Sequence, residues 1–313
     1  MNGILNVLKP AGMTSFDVVG CLRKISGQKK IGHTGTLDPS AVGVLPVCLG
    51  NATKAIDFMI DKDKVYRAEL TLGIATDTQD SSGKIIFLNT VEADHKTIFD
   101  AVNSFVGEIQ QLPPMYSAIK IGGKKLYELA RQGETVERQA RSINIFDINV
   151  IRIWDENTFF TDGEEKTEYP TKKVLFDVHC SKGTYIRTLC NDIGEKLGCG
   201  GHMSFLIRTR AGKYSLDTAL SFEQINELAR QNSLDSSLLP VETVFEEYDC
   251  ISLGASDIFK YNNGAEVQVD CDNAFDNALR RVYDINGVFL GIGELSVKGR
   301  TVYLKSKKFF RDN

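Results

Sequence analysis

The sequence has no excess of positive charge, no cysteine pair at close spacing and no long apolar run, and each absence narrows what the chain can do. Its 313 residues carry 37 Lys and Arg against 41 Asp and Glu, a formal net charge of −4. A uniformly basic nucleic-acid binder would lean the other way. The seven cysteines, an odd number, include no CxxC. That pattern fits free thiols in a reducing cytosol and argues against a disulfide framework. No apolar run approaches the roughly 18 residues that mark a membrane-spanning helix. The N-terminus lacks a charged stretch followed by an apolar one, so neither a signal peptide nor a membrane span is expected, and the expected location is cytoplasmic. No internal repeat is visible.

What is present is an ordinary globular composition, 42% hydrophobic and 25% charged, on a chain long enough for one large domain and a small one. The overall charge hides local asymmetry. Residues 298–311 hold Lys298, Arg300, Lys305, Lys307, Lys308 and Arg311 with no acid, and residues 120–141 hold six basic residues against three acidic ones. Acidic charge collects at 242–249 and 270–276. Such basic runs are commonly solvated faces; here they permit a phosphate-binding surface without requiring one.

Residues 4–8 read as a strand stopped by Lys9-Pro10-Ala11-Gly12. Thr14 or Ser15 can cap a helix whose residues Val18, Val19, Leu22 and Ile25 share a face, ended by Gly27. Residues 65–72 alternate, with Tyr66, Ala68, Leu70 and Leu72 on one side. Ile98, Phe99, Val102, Phe105 and Val106 have helical spacing. A strand over residues 174–180 precedes a helix marked by Ile186, Leu189, Cys190, Ile193 and Leu197, and Ser221 with Gln224 forms a capping-box pattern. The polar, acidic residues 155–171 read as a loop or hairpin tip. The acidic stretch 240–249 reads as a boundary before short strand-like pieces at 266–269, 279–283, 289–295 and 301–304.

The densest candidate chemistry lies at Lys30-Ile31-Gly32-His33-Thr34-Gly35-Thr36-Leu37-Asp38-Pro39, continued by Gly43 and Leu45-Pro46. It is not a phosphate loop, because neither Gly35 nor Gly43 is followed by Lys and Ser or Thr. Gly32-His33 faintly echoes a synthetase signature, but no Lys-rich partner follows. Acid, base or nucleophilic work by Asp38 is the third reading. Its structural alternative is a helix N-cap followed by proline at the first helical position. His179, Cys180, Cys190, Cys199 and His202 make a weak case for zinc, since the one short pair, Cys199 with His202, has no matching second pair.

The whole phrase closely resembles the catalytic motif of the TruB family of tRNA pseudouridine synthases, and further segments extend the resemblance. Lys9-Pro10 with Gly12, Thr14 and Ser15 is similar to the opening motif. Lys64-Val65-Tyr66 with Gly73, Thr76, Asp77, Thr78, Asp80 and Gly83 is similar to the second. Pro113-Pro114, Tyr116-Ser117-Ala118, Lys120, Tyr127, Ala130-Arg131 and Gly133 are similar to the third. Gly183 to Leu189 in sequence, then Leu206, Arg208-Thr209 and Gly212, complete the set.

The resemblance implies an isomerase that converts the T-loop uridine at conventional tRNA position 55 to pseudouridine by flipping it from the RNA, with no cofactor and no metal. It implies Asp38, Tyr66 and Arg187 as catalytic residues: the aspartate, an aromatic that stacks on the base and can help remove its C5 proton, and a cation that pairs with the aspartate. It assigns His33, Tyr185, Leu206, Lys9, Lys120 and Arg131 to substrate binding. Arg187, Tyr66, Tyr185, Leu206 and His33 also have bland readings from local sequence: a surface arginine, core tyrosines, a core leucine and a loop histidine bonded to backbone.

The fold implied is α/β, of the pseudouridine-synthase type, with a mixed and mostly antiparallel sheet flanked by helices. The expected division is a catalytic domain over 1–240, with an RNA-gripping arm at about 84–141, and a small β-rich PUA-like RNA-binding domain over 248–313. Asn263-Gly264, Val267 and residues 289–294 carry the resemblance of that last part. The expected partner is the T-stem-loop of tRNA, met by a monomer, with no membrane and no small-molecule cofactor. The alternative function is a tRNA-binding folding chaperone whose catalysis is secondary.

Overall fold

The alternating segment at 65–72 forms the middle of a large sheet, and the rest of the fold is arranged around it. A computed structural model describes residues 1–117, 119–162, 165–271 and 274–310, without the side chains of 120, 121, 125, 131, 161, 162, 165 and 166. In chain order the strands are β1 (Gly3–Lys9), β2 (Ile31–His33), β3 (Val42–Leu49), β4 (Lys64–Leu72), β5 (Ile74–Thr76), β6 (Ile85–Leu88), β7 (Gly107–Gln111), β8 (Lys120–Ile121), β9 (Lys124–Lys125), β10 (Arg141–Asp162), β11 (Glu165–Cys180), β12 (Gly201–Ala211) and β13 (Tyr214–Ser215). The helices are α1 (Ser15–Ser26), α2 (Ile56–Ile60), α3 (His95–Asn103), α4 (Leu126–Arg131), α5 (Ile186–Lys196), α6 (Phe222–Arg230) and α7 (Ala255–Asn262).

Among the described residues a nine-stranded sheet runs β1-β3-β12-β4-β11-β10-β7, with β2 on β3 and β13 on β12. Its pairings are antiparallel except that of β3 with β12, where Val42 and Gly43 lie opposite Ile207 and Arg208. That parallel contact brings the loop before β3 against the middle of β12. One face of the sheet buries Tyr66, Ala68, Leu70 and Leu72 of β4 with Phe176 and Val178 of β11, under Ile98 and Val102 of α3 and Leu189 and Ile193 of α5. On the other side of β1 and β3, Val18, Val19 and Leu22 of α1 and Ile225 of α6 close a second core. Of the two candidate caps Thr14 is the one used and, in a capping box with Asp17, starts α1; Ser221 with Gln224 starts α6, as its pattern suggests, and Gly27 ends α1 in the left-handed region at φ 66°.

Within the stretch 84–141, Val91, Ile98 and Val102 are buried in the main core and β7 pairs with β10 in the sheet. Residues 112–140 are left to carry the short β8–β9 hairpin and α4. The acidic stretch 155–171 is a hairpin: β10 and β11 pair out to Asp162 and Glu165, well past Lys172, where β11 stops pairing with β4. It reads as polar because both faces of that ribbon are solvated rather than because it lacks strand structure.

After residue 249, β14 (Cys250–Leu253), β15 (Val267–Val269), β16 (Leu279–Asp284), β17 (Phe289–Lys298) and β18 (Thr301–Phe309) form, among the described residues, a five-stranded sheet in the order β14-β16-β17-β18-β15. Tyr261 of α7 is buried in its core. This sheet is fastened to the back of β1 and β3. Phe245, Ile292 and Phe310 are buried with Ile4, Val44, Cys48 and Met59, and the Lys54 ammonium donates to the Phe309 carbonyl at 2.8 Å.

Candidate active site

The loop between His33 of β2 and Val42 of β3 begins no helix at Pro39, which removes the reading of Asp38 as a helix cap. The Ala41 amide donates to the Asp38 carbonyl at 3.1 Å, a single turn that continues into β3. The loop is fastened from several directions. Lys9, with no exposed surface, donates from its ammonium to the carbonyls of Ala41 (2.6 Å), Pro10 (2.9 Å) and Pro39 (3.3 Å). The Leu37 amide donates to Ser15 Oγ at 2.8 Å, and the Gly12 amide to the Pro39 carbonyl at 2.8 Å. The buried Arg208 donates from Nε to the Val44 carbonyl at 2.7 Å and from Nη2 to the Gly35 carbonyl at 3.1 Å.

Gly43 makes this close approach possible. Its φ is +112°, and a Cβ there would lie 2.3 Å from the Arg208 carbonyl oxygen. Gly43→Ala is therefore expected to lower stability by about 2–3 kcal/mol, by forcing β3 and β12 apart. A denaturant or thermal melt checks this; an unchanged melt would mean the two strands do not need that contact.

Asp38 meets its partner across 149 residues of chain. Arg187 lies in the first turn of α5, whose N-cap Tyr185 is pinned by Gln111: Nε2 donates to the Tyr185 carbonyl (3.1 Å), and the Tyr185 amide donates to Oε1 (2.8 Å). Arg187 Nη2 donates to Asp38 Oδ1 at 2.9 Å, and Nη1 lies 3.8 Å from Asp80 Oδ2. The Arg187 side chain is 7% exposed and that of Asp38 31%, so the cation is held inside while the carboxylate can be reached from solvent. Asp80 is oriented by Thr78 Oγ1 (2.7 Å) and the Ser82 amide (2.9 Å).

Desolvation raises the Asp38 carboxyl above the usual carboxylate range. Arg187 is the largest opposing influence; Asp80 adds to the rise and Lys9 counters it. Burial likewise lowers the Lys9 ammonium to about 8, with Asp38 opposing. A carboxylate poised this way combines basicity with a fixed aim, which suits proton transfer or attack on carbon.

The other expected residues separate into groups. Tyr66 on β4 is buried in the main core, which also holds Leu37, Ala41 and Leu206, and burial raises its hydroxyl, so the phenol stays protonated at neutral pH. Tyr185 is half-buried at the helix start, with its hydroxyl also raised by burial and acted on by the charges of Arg187 and Asp38. Leu206 sits on β12 opposite Ala68. His33 Nδ1 accepts from the Gly35 amide at 3.3 Å, which leaves the ring hydrogen on Nε2; burial, then Arg208, lowers its basicity and keeps it neutral. Lys9, expected to touch substrate, is buried beneath carbonyl groups of the loop and serves to hold it. The expected contacts of Lys120 and Arg131 fall on side chains outside the described residues, as do Ala118 of the third motif and Arg311 of the basic run.

Sequence reading assigns no role to Arg208, Asp80 or Gln111. The first two stand inside quoted motifs, but their burial shows only in the structure; Gln111 carries no signal. The residues considered for zinc go separate ways. His179 faces Asp63, the His202 ring bonds the Ile74 carbonyl, and Cys180 and Cys190 lie in the main core. All seven cysteines are free thiols, and no helix among the described residues is long and apolar enough to cross a membrane.

Comparison with known proteins gives a consistent result. Residues 23–186 match the model described as TruB family pseudouridylate synthase (N terminal domain), and residues 187–246 match the tRNA pseudouridylate synthase B C-terminal domain. A protein named tRNA pseudouridine synthase B from Alkaliphilus oremlandii (strain OhILAs) is 55% identical over 77% of this chain and 75% of its own length. Another of that name from Clostridioides difficile (strain 630) is 42% identical over 99% of this chain and 100% of its own. Among solved structures, one described as a Cbf5-Nop10-Gar1 complex aligns with a TM-score of 0.70 and 26% identity, over 99% of this chain and 85% of that one. A second, of an H/ACA RNP bound to a substrate RNA containing 2'-deoxyuridine, has a TM-score of 0.70 at 23% identity over the same shares, and supports the fold.

Proposed function

This chain belongs to the TruB family of pseudouridine synthases, and from that premise we propose that it isomerises the tRNA T-loop uridine at conventional position 55, with Asp38 as the catalytic carboxylate. The observation that carries the reading is the reachable Asp38 carboxylate bonded at 2.9 Å to the enclosed Arg187 guanidinium. The relatives matched over most of their length are named as tRNA pseudouridine synthases.

The chemistry is an isomerisation. The N1–C1′ bond breaks, the uracil turns, C5 bonds to C1′, C5 gives up its proton and N1 takes one, so no electrons leave or enter. The carboxylate can serve by adding to the sugar, by adding to the base, or by accepting a proton, and all three need it ionised. Arg187 supplies that bias and fixes the direction of attack. Tyr66, a protonated phenol, offers its ring to the flipped base, with Leu206 and Tyr185 as further walls. Extruding a stacked uridine costs roughly a few kcal/mol, and His33, a neutral ring on the loop, takes the vacated place. Recognition rests on the shape of the RNA and the flipped base. Residues 112–140, with Lys120 and Arg131, grip the T-stem, and the unit at 248–313 meets the backbone through its basic end. The protein acts as a monomer in the cytoplasm. The comparisons do not favour the folding-chaperone alternative.

Because Asp38 is raised by burial and must be ionised, kcat/KM is expected to fall as pH drops through a value above the ordinary carboxylate range. Tritium release from [5-³H]uridine tRNA measured against pH checks the position of that acid limb. A limb at or below the usual aspartate value would contradict the role of burial. The assignment itself is tested by incubating purified protein with unmodified tRNA transcripts and mapping pseudouridine base by base. One new pseudouridine at position 55 is expected; an unchanged T-loop would overturn the proposal.

A further inference from the structure

The turn between β5 and β6 carries Asp80, the second acid beside Arg187, and contains an unusual residue. Gln79 has φ 64°, the left-handed region. The other two non-glycine residues with positive φ among those described are asparagines, Asn232 and Asn277, which tolerate it far better. A glutamine held there needs contacts that keep it. Its amide donates to the Thr76 carbonyl at 3.1 Å, and its carbonyl accepts from the Met203 amide of β12 at 3.0 Å. Its side chain reaches α5: Thr188 Oγ1 donates to Gln79 Oε1 at 2.8 Å. Thr188 is buried and is the neighbour of Arg187.

We propose that the Gln79–Thr188 hydrogen bond is a positioning device that fixes the Asp80 turn against the first turn of α5 and so holds the Arg187 guanidinium between Asp38 and Asp80. An arginine side chain has many rotamers, and its far end is only as fixed as the groups it meets. The Asp38 loop is tied by Lys9 and Arg208, and the start of α5 by Gln111. Gln79 ties the third member, the turn, to the helix that carries the arginine. The charged groups acting on Asp38 are Arg187 from α5, Asp80 from the turn and Lys9 from β1. Of these Arg187 acts most strongly, in favour of ionisation, so freeing it leaves the carboxylate harder to ionise.

The effect on turnover rests on the proposed function. Gln79→Gly separates the side-chain tie from the backbone, because glycine adopts the left-handed conformation without strain. Its melting temperature should change little, because relief of the left-handed strain offsets the lost side-chain bond and the greater freedom of the unfolded chain. Its kcat for tritium release should fall about tenfold, the scale of one hydrogen bond acting on the rate-limiting step, with KM for tRNA little changed and the acid limb moved to higher pH. Thr188→Val should act in the same direction and Thr188→Ser should restore near-normal turnover. A carboxyl-carbon NMR titration of Asp38 in free protein should show a higher midpoint in Gln79→Gly than in wild type, a readout that requires no catalysis. Wild-type kcat and an unmoved Asp38 titration in Gln79→Gly would overturn the device, as would a rate loss that merely follows a lowered melting temperature. Wild-type protein that leaves tRNA unmodified would instead overturn the functional assignment, and the titration would still decide the device.

Discussion

Asp38→Asn is expected to abolish pseudouridine formation, with a loss on the order of 10⁴-fold or more, the scale seen when a group that performs the chemistry is removed. The substitution is nearly isosteric, and its carbonyl oxygen can still accept from Arg187 Nη2, now bonded at 2.9 Å to Oδ1. The loop is held by Lys9, Ser15 and Arg208, none of which touches the carboxylate through the bonds described. The fold should therefore survive, and the melting temperature should change little, since a carboxylate that burial disfavours is replaced by a neutral amide. Tritium release from [5-³H]uridine tRNA and a thermal melt on the same preparation separate the two effects. An Asp38→Asn protein that retains even a hundredth of wild-type turnover, on the order of 10²-fold above the expected residue of activity, would remove the carboxylate from the centre of the mechanism.

Arg187→Met should damage both stability and activity. The guanidinium is 7% exposed and faces two acids, Asp38 at 2.9 Å and Asp80 at 3.8 Å. Removing it leaves Asp80 enclosed without its cation and Asp38 without the group that most opposes desolvation. Breaking an enclosed pair by deleting one partner costs about 3–5 kcal/mol in general; with Asp38 partly open to solvent, about 2–3 kcal/mol is expected here. Turnover should drop by about 10²–10³-fold, because the carboxylate loses both its charge bias and its aim. Arg187→Lys should rescue stability more than turnover, since a single ammonium cannot meet both acids in the planar geometry of the fork. The discriminating measurement is the pH profile of Arg187→Lys, whose acid limb should lie above that of wild type. A profile superimposable on wild type would show that Arg187 has no hold over Asp38.

Much of this site can be read from residue order, and what cannot has a physical reason. Alternation at 65–72 marks β4 because one face is core and the other is not. The capping box at Ser221 and the cap at Thr14 or Ser15 rest on local hydrogen bonds, so local sequence reveals them; the reciprocal bond from Asp17 shows only in the structure. The pairing of Asp38 with Arg187 comes from the resemblance, because nothing local links residues 149 apart. The parallel contact of β3 with β12 is not legible for the same reason, nor is the requirement it places on Gly43. Lys9 illustrates a different limit. The resemblance assigns it to substrate binding, yet three carbonyl oxygens of the Asp38 loop and its neighbour surround it. The spacing of Ile98 and Val102 correctly marks a helix, but the core that its apolar face joins is built from strands distant in the sequence, so spacing alone does not place it. Asp80 and Arg208 share one signature, a charge inside a buried segment, which becomes visible only once burial is known.

One proposal is central: that the carboxylate of residue 38 converts uridine to pseudouridine in the T-loop of tRNA. Base-resolved mapping of total tRNA from cells that carry the gene, lack it, or carry it with Asp38→Asn tests this directly. Pseudouridine at position 55 should be present in the first and absent from the other two. A signal that persists without the gene, or that returns with the asparagine form, would contradict the assignment.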